Sequence, residues 1–466
     1  MRILACLVLA LSLLAEDDPK ASFQKRWDGL SKKDAQEHVA RGDHAADKKL
    51  YRLARQEYED VLAGEPDNAK ARKFLGYAKF ADSWAKDRKV VVKTADGAPA
   101  NQWEALIKAF RAKFDPRAKS LSADFVRLGD WCRSVELADE AAQAYRRAVA
   151  WDGTSADARK WLGHEKEAEN WLSKEALAER NALREGVATA PKGEPWDPAD
   201  TRIEKALGAK MTKALSPHFE AYAVYDAESL SKAVQVGEVA YVECVRRLGL
   251  PEEGAYLPGR ITLAIVDTAA QHAAYVEAFY TDPQERNEMK GLGGTVGRGR
   301  IEHRGAANVG RRVAHNTAHI VVREACGELK KVWLAEALAN LVTAELFDKS
   351  EIYCVGRALT GTRAGGWTFD DATTWRPTMR RWVETGDVPS TLEVMGIENH
   401  AALTGELGLK GWSILDFLSH ARAAEMKAYV EELKKGTAPE AALSNALGWD
   451  AEALDVAWRR YVLENY

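Results

Sequence analysis

Two stretches of this chain align with each other at a single spacing of 87 residues. Ala54, Tyr58, Ala63, Ala71, Arg72, Leu75, Gly76 and Trp84 recur as Ala141, Tyr145, Ala150, Ala158, Arg159, Leu162, Gly163 and Trp171. So many identities at one offset mark an internal duplication, and the two copies must share a fold. Apolar residues in each copy follow helical spacing. Leu53, Ala54, Tyr58, Val61 and Leu62 make one face, and Ala71, Phe74, Leu75 and Ala78 make the next. Pro66-Asp67-Asn68 separates the two helices of the first copy, and Asp152-Gly153-Thr154-Ser155 separates those of the second.

A helix with Ala and an aromatic, a turn at Glu65-Pro66-Asp67-Asn68, then a helix ending in Leu-Gly resembles the tetratricopeptide repeat. The resemblance covers about residues 34–85 and 120–172. Tandem 34-residue copies are absent, so these are two separate units, each followed by a Leu-Gly…Trp element. Such helix pairs provide a concave protein-binding surface or brace a neighbouring domain, and both readings stay open. Arg184 to Asp200 carries Gly186, Pro191, Gly193, Pro195 and Pro198. Proline can neither continue a helix nor donate to a sheet, so the helical region is set at 16–183 and a linker at 184–205.

Lys and Arg total 66 against 70 Asp and Glu, a formal net charge of −4. This balance lacks the basic surface of a nucleic-acid binder. Arg2 precedes the apolar run Ile3–Leu14, then Ala15 and the acidic Glu16-Asp17-Asp18. A charged start, an apolar run too short to span a bilayer and an abrupt polar switch read as a secretory signal at 1–15. The mature chain is expected to be exported, periplasmic or extracellular, without a stable membrane anchor. Cys6 lies within the apolar run with no lipoprotein-type box after it. Cys132, Cys244, Cys326 and Cys354 are spaced too widely for a paired zinc knuckle. They read as scattered buried thiols, with a Cys326–Cys354 disulfide as the alternative.

Beyond the linker, strands and helices mix. Phe219–Tyr225 and the β-branched run Arg260–Val266 read as strands, and Ala227–Leu248 as an amphipathic helix. Farther on, His315 and His319 stand four apart, which puts both imidazoles on one face of a helix. Glu336 follows seventeen residues later, in Trp333-Leu334-Ala335-Glu336-Ala337-Leu338-Ala339. A second helix starting there would aim Glu336 back at the histidines. Two His and one Glu, with a position open for water, form a catalytic zinc ligand set.

This stretch resembles the gluzincin metallopeptidases, in the peptidase MA-like branch found in many bacterial proteins. There the motif runs His-Glu-x-x-His, then Trp-Leu-x-Glu-Gly-Leu-Ala with the third ligand. Gly411-Trp412-Ser413-Ile414-Leu415-Asp416-Phe417-Leu418, Tyr429, Leu433, Leu447-Gly448-Trp449 and Trp458-Arg459-Arg460-Tyr461 agree with the family's C-terminal part. The resemblance covers about residues 210–466 and implies a gluzincin-like domain over 206–466, with His315, His319 and Glu336 as zinc ligands. The chain departs from the family where chemistry is done. The residue after the first His is the general base, and here it is Asn316. A carboxamide cannot take a proton from metal-bound water, a loss of about 10²–10⁴-fold. Four residues past the third ligand, where relatives carry an acid that orients a ligand histidine, stands Asn340. Leu409 and Lys410 occupy the region where relatives commonly carry a Tyr, and Ala337 replaces Gly.

Other signals read plainly. Gly291–Gly310 contains GLGGTVGRGR without the lysine of a phosphate loop, so it is expected as a loop and edge strand beside the cleft. His303 within it is expected at the surface. Asp370-Asp371 reads as a helix start, and Trp367, Phe369, Trp375 and Trp382 as core. The expected fold class is α+β: a tetratricopeptide-like helical half, then a gluzincin-like domain. The leading functional expectation is an exported pseudopeptidase that binds a protein or peptide, with zinc as its candidate metal. An active zinc metallopeptidase using Glu324 or Glu345 as a displaced base is one alternative, and a structural cell-envelope scaffold is the other.

Overall fold

A computed structural model describes residues 18–87, 89–90, 92–199, 201–252, 254–327, 332–350, 354 and 369–466. The apolar run at 1–15, Cys6 and Trp367 lie outside the described residues. The fold is α+β. No helix among the described residues is long and apolar enough to cross a membrane.

The duplication is visible as structure. The first copy comprises α1 (Pro19–Asp47), α2 (Tyr51–Gly64), α3 (Ala69–Phe74) and the hairpin β1 (Tyr77–Phe80)–β2 (Ser83–Lys86). The second comprises α4 (Ala100–Ser134), α5 (Ala138–Trp151), α6 (Ala156–Trp161) and β3 (His164–Glu167)–β4 (Asn170–Ser173). Leu53, Ala54, Tyr58 and Val61 are buried on α2 as their spacing predicts. Asn68 caps α3, accepting from the Ala71 amide. The copies extend farther upstream than their conspicuous identities. Gly42 and Gly129 lie against the rings of Tyr58 and Tyr145, where a Cβ would crowd them. Those tyrosines donate to Asp43 and Asp130 at 2.5 and 2.7 Å.

The Leu-Gly…Trp element is not helical, as the Ala78 spacing suggested. Gly76 and Gly163 take φ of +84° and +71°, which ends each short helix and starts a two-strand hairpin. The repeat unit is thus three helices and a hairpin. The expected linker at 184–205 is also partly structured. Residues 184–189 finish α7 (Lys174–Thr189), Glu194–Pro195 form β5, and Arg202–Leu207 form α8. Pro195 is accommodated because β5 lies at a sheet edge.

The sheet of the second half runs β5-β6-β7-β8-β10-β9, with β6 (Thr212–Leu215), β7 (Phe219–Ala223), β8 (Ile261–Val266), β9 (Gly294–Gly297) and β10 (Arg300–Arg304). β7–β8 and β8–β10 pair in parallel and the rest antiparallel. Alternation sets the two faces. Phe219, Ala221, Ala223, Ile261, Leu263, Ile265 and Ile301 pack with α9 (Ala227–Arg247) and α12 (Val309–Cys326). Tyr222 and Ala264 pack with α8 and α10 (Ala269–Phe279), which α11 (Pro283–Lys290) follows. Glycine-rich 291–310 forms a loop with strands β9 and β10, β9 at the edge. His303 is buried on β10, 2% exposed and not at the surface. Its Nε2 lies 3.2 Å from the Ala307 carbonyl oxygen.

The rest is helical: α13 (Trp333–Phe347), α14 (Trp375–Thr385), α15 (Thr391–Met395), α16 (Gly405–Ala421), α17 (Ala423–Lys434), α18 (Pro439–Leu447) and α19 (Ala451–Asn465). Phe369, Trp375 and Trp382 are core, and Asp371 caps a short 3₁₀ turn. α16 carries the fully buried Asp416, whose carboxylate accepts from Tyr466 at 2.6 Å, Tyr461 at 3.0 Å and Arg376 at 3.2 Å. Burial works against its charge, but the Arg376 guanidinium overrides this and holds the carboxyl well below its usual range.

The repeats hold α19. Arg459 donates to Glu59 of the first copy at 2.7 Å. Arg159 of the second copy donates to the main-chain oxygens of Asn465 and Tyr466. Arg380 on α14 donates to Leu463 and to the α5 carbonyl of Val149, at 2.5 and 2.8 Å.

Asp416→Ala leaves Arg376 buried without its acid and is expected to cost about 3–5 kcal/mol in denaturant unfolding. His164 lies 3.0 Å from Arg159, and burial, then the Arg159 charge, pushes its pKa down to about 4. The unfolded chain protonates this group below about 6.5. Stability therefore rises with pH between about 4 and 6.5 and is lost as pH falls through that window. His164→Gln should flatten that slope in urea midpoints measured at pH 7 and 4.5.

Candidate metal centre

α12 and α13 are built to present three side chains to each other. α12 leaves the sheet after β10, with Asn308 in the left-handed region just ahead of it. Its apolar stripe, Val313, Ile320 and Val321 among others, packs inward. The four-residue spacing puts His315 and His319 one turn apart, with their Nε2 atoms separated by 3.0 Å. α13 is apolar nearly all round and buried along its length, so it runs through the core. Glu336 lies in its first turn. Glu336 Oε1 is 3.3 Å from His319 Nε2, and Oε2 is 3.9 Å from His315 Nε2. The three residues expected as ligands are together.

Two further side chains join them. Cys354 Sγ lies 3.2 Å from His315 Nε2 and 3.9 Å from His319 Nε2. The donor atoms of His315, His319, Glu336 and Cys354 all fall within 4.8 Å of one another. His400 Nε2, on a 3₁₀ turn, lies 2.9 Å from Glu336 Oε1, with the histidine side chain half exposed at the rim. The position expected to stay open for water therefore has a sulfur beside it. The alternative disulfide is also excluded, since Cys326 and Cys354 remain thiols. Eleven residues of helix separate His315 from Cys326, roughly 16 Å, whereas disulfide Cα atoms lie about 4.4–6.8 Å apart.

The electrostatics suit a cation. His315 is fully buried, and its pKa is pushed down to about 3 by that burial and next by the neighbouring His319. Burial opposes ionisation of Glu336, but the imidazoles of His319, His400 and His315 hold it well below the usual carboxylate range. A neutral imidazole beside a carboxylate is the protonation state metal ligands require. Bonds of about 2.0–2.3 Å around tetrahedral zinc imply ligand–ligand edges of roughly 3.3–3.8 Å. The separations of 3.0 to 3.9 Å given above bracket these edges, and a set of nitrogen, oxygen and sulfur donors is of the kind zinc takes and unlike the all-oxygen cages of calcium or magnesium.

The remaining candidates are accounted for. Asn316 is buried on α12. Asn340, one turn past Glu336, accepts from Ser350 Oγ at 2.6 Å. Glu345 lies nine residues past Glu336, on the opposite face of α13, with its carboxylate 3.7 Å from Arg180. Glu324 is five residues past His319, rotated about 140° away on α12. Neither acid faces the cluster.

A cavity of about 550 Å³ lies elsewhere, between the repeats and helices α14 and α19, with Trp151, Trp171, Arg147 and Arg376 in its wall. Its arginines are already committed, Arg147 to Asp34 and Arg376 to Asp416. Cys354 and His400 gave no sequence signal, because each reaches the cluster through chain that has no periodic relation to α12 or α13.

No protein-family model matches the chain, and neither the curated proteins nor the solved structures compared with it give a match. Elemental analysis of the purified protein should find close to one zinc per chain, lost when His315→Ala and His319→Ala are combined.

Proposed function

We propose that residues 206–466 form a zinc-binding domain of gluzincin type that no longer hydrolyses peptides. In this reading it belongs to an exported protein whose tetratricopeptide-like half braces the domain, and its ligand is a protein or peptide. One observation carries the reading: His315, His319 and Glu336 converge as a ligand set, while the residue after the first histidine is Asn316. A zinc ion bound there would act as a Lewis acid, and hydrolysis would also need a base to take a proton from water. Asn316 cannot serve, and Glu324 and Glu345 both point away.

Bracing is supported by the fate of two of the repeats' polar groups. Glu59 and Arg159 are spent on α19 of the same chain. In this reading a peptide ligand would sit on the sheet instead. β9 is an edge strand alongside α12, with the Gly297 carbonyl 3.3 Å from Arg323. An edge of this kind can take up an extended segment by backbone pairing.

The zinc-loaded protein is expected to hydrolyse unfolded protein substrates no faster than its His315→Ala variant. Turnover that disappears in that variant would overturn the reading. Asn316→Glu combined with Cys354→Ala restores the base and clears the sulfur. Measured by release of peptide fragments, this pair should raise hydrolysis by roughly 10²–10⁴-fold over the native protein.

A further inference from the structure

We propose that Cys354 is the fourth protein ligand of the His315–His319–Glu336 site. It would close the site around one zinc-class dication, with a thiolate where a hydrolytic centre keeps water. This rests on the reading of residues 206–466 as a metal-binding domain and names the coordination that the domain would use.

Geometry is the first argument. A thiol that merely hydrogen-bonded one imidazole would need to approach only that ring. Cys354 Sγ instead lies 3.2 Å from one imidazole nitrogen, 3.9 Å from the other, and within 4.8 Å of a Glu336 oxygen. That is the fourth vertex of a compact donor tetrahedron. The other three described thiols are elsewhere: Cys132 is in the core of the second repeat, and Cys244 and Cys326 are in the main apolar core.

Charge is the second argument. Two neutral imidazoles, one carboxylate and one thiolate sum to −2, which a dication neutralises. Neutrality matters because His315 is 0% and Glu336 only 2% exposed, where uncompensated charge is expensive. As the metal–sulfur bond forms, the thiol proton leaves to solvent, and no oxidant or reductant is involved. Donor softness is the third argument. Sulfur with imidazole selects zinc, cobalt and related ions over magnesium and calcium.

The assignment also gives Asn316 a physical setting. When four protein atoms fill the coordination sphere, no bound water remains for a base to activate. A closed four-ligand sphere characterises structural zinc. Here the ion would tie the chain that follows α13 back onto α12 and α13. Ser350, donating to Asn340 at 2.6 Å, already holds that chain against α13.

The test uses the full chain, stripped with a chelator and titrated with Co²⁺ as a spectroscopic substitute. One cobalt per chain is expected, with the strong visible bands of a tetrahedral ion and a near-ultraviolet thiolate-to-cobalt charge-transfer band. Cys354→Ser should abolish the charge-transfer band. It should also weaken cobalt binding by at least the roughly 10–100-fold that loss of an outer partner costs. Cys326→Ser should leave band and affinity unchanged. Cobalt bound at one per chain without a charge-transfer band, or with a band that survives Cys354→Ser, would overturn this inference and leave the metal-binding domain standing. No cobalt binding at all would overturn both. If Cys354→Ser does not fold, the native spectrum decides, because the other described thiols lie in apolar cores away from the cluster.

Discussion

A single buried carboxylate, Asp416, orients the helices through which the two halves of this protein meet. Arg376, Tyr461 and Tyr466 all converge on it. Arg376 belongs to α14 and Tyr461 to α19, with Tyr466 immediately after that helix, so one acid on α16 orients two other helices. α19 then reaches the first repeat through Arg459 and the second through Arg159, while α14 reaches the second through Arg380. α16 also packs along α13, which carries Glu336. The placement of the candidate metal ligands and the docking of the repeats thus share one anchor. A carboxylate buried this deeply is tolerable because its charge and its lone pairs are met by an arginine, two phenols and the His420 imidazole 3.3 Å away.

The duplicated half shows how a repeat is kept and reused. In both copies a tyrosine lies on a glycine one helix back and donates to the following aspartate, Tyr58 to Asp43 and Tyr145 to Asp130. That packing is internal to the unit and is the same in both. The outward positions have diverged: Glu59 and Asp60 correspond to Arg146 and Arg147. Glu59 receives Arg459 from α19, while Arg147 turns to Asp34 on α1. Equivalent backbones thus present opposite charges, so each copy meets a different neighbour.

The candidate centre combines two features that make chemical sense together. At the position after His315 stands Asn316, a carboxamide that cannot take a proton from water, and Cys354 brings a sulfur to within 3.2 Å of His315 Nε2. Together they describe a centre suited to holding a cation, with His400 at its rim.

The sequence alone determined whatever depends on short-range periodicity. Four-residue spacing placed His315 and His319 on one helical face. The Trp333–Ala339 run marked the helix bearing Glu336. Alternation within Phe219–Ala223 and Ile261–Val266 marked strands and their buried faces, and the 87-residue offset marked the duplication. Local rules erred where a backbone reversal interrupted a helical pattern: Ala78 fits a helical face, but positive φ at Gly76 sends it into a hairpin. They also erred at His303, whose glycine-rich surroundings conceal its burial on an inner strand. Only the tertiary structure could bring Cys354 and His400 to the histidine pair, withdraw Glu345 to Arg180, and seat α19 against the repeats. These contacts join residues from 35 to 400 positions apart, and at such separations position along the chain carries no information about distance in space. What decides them is the packing of apolar helices and the need of each buried charge for a partner.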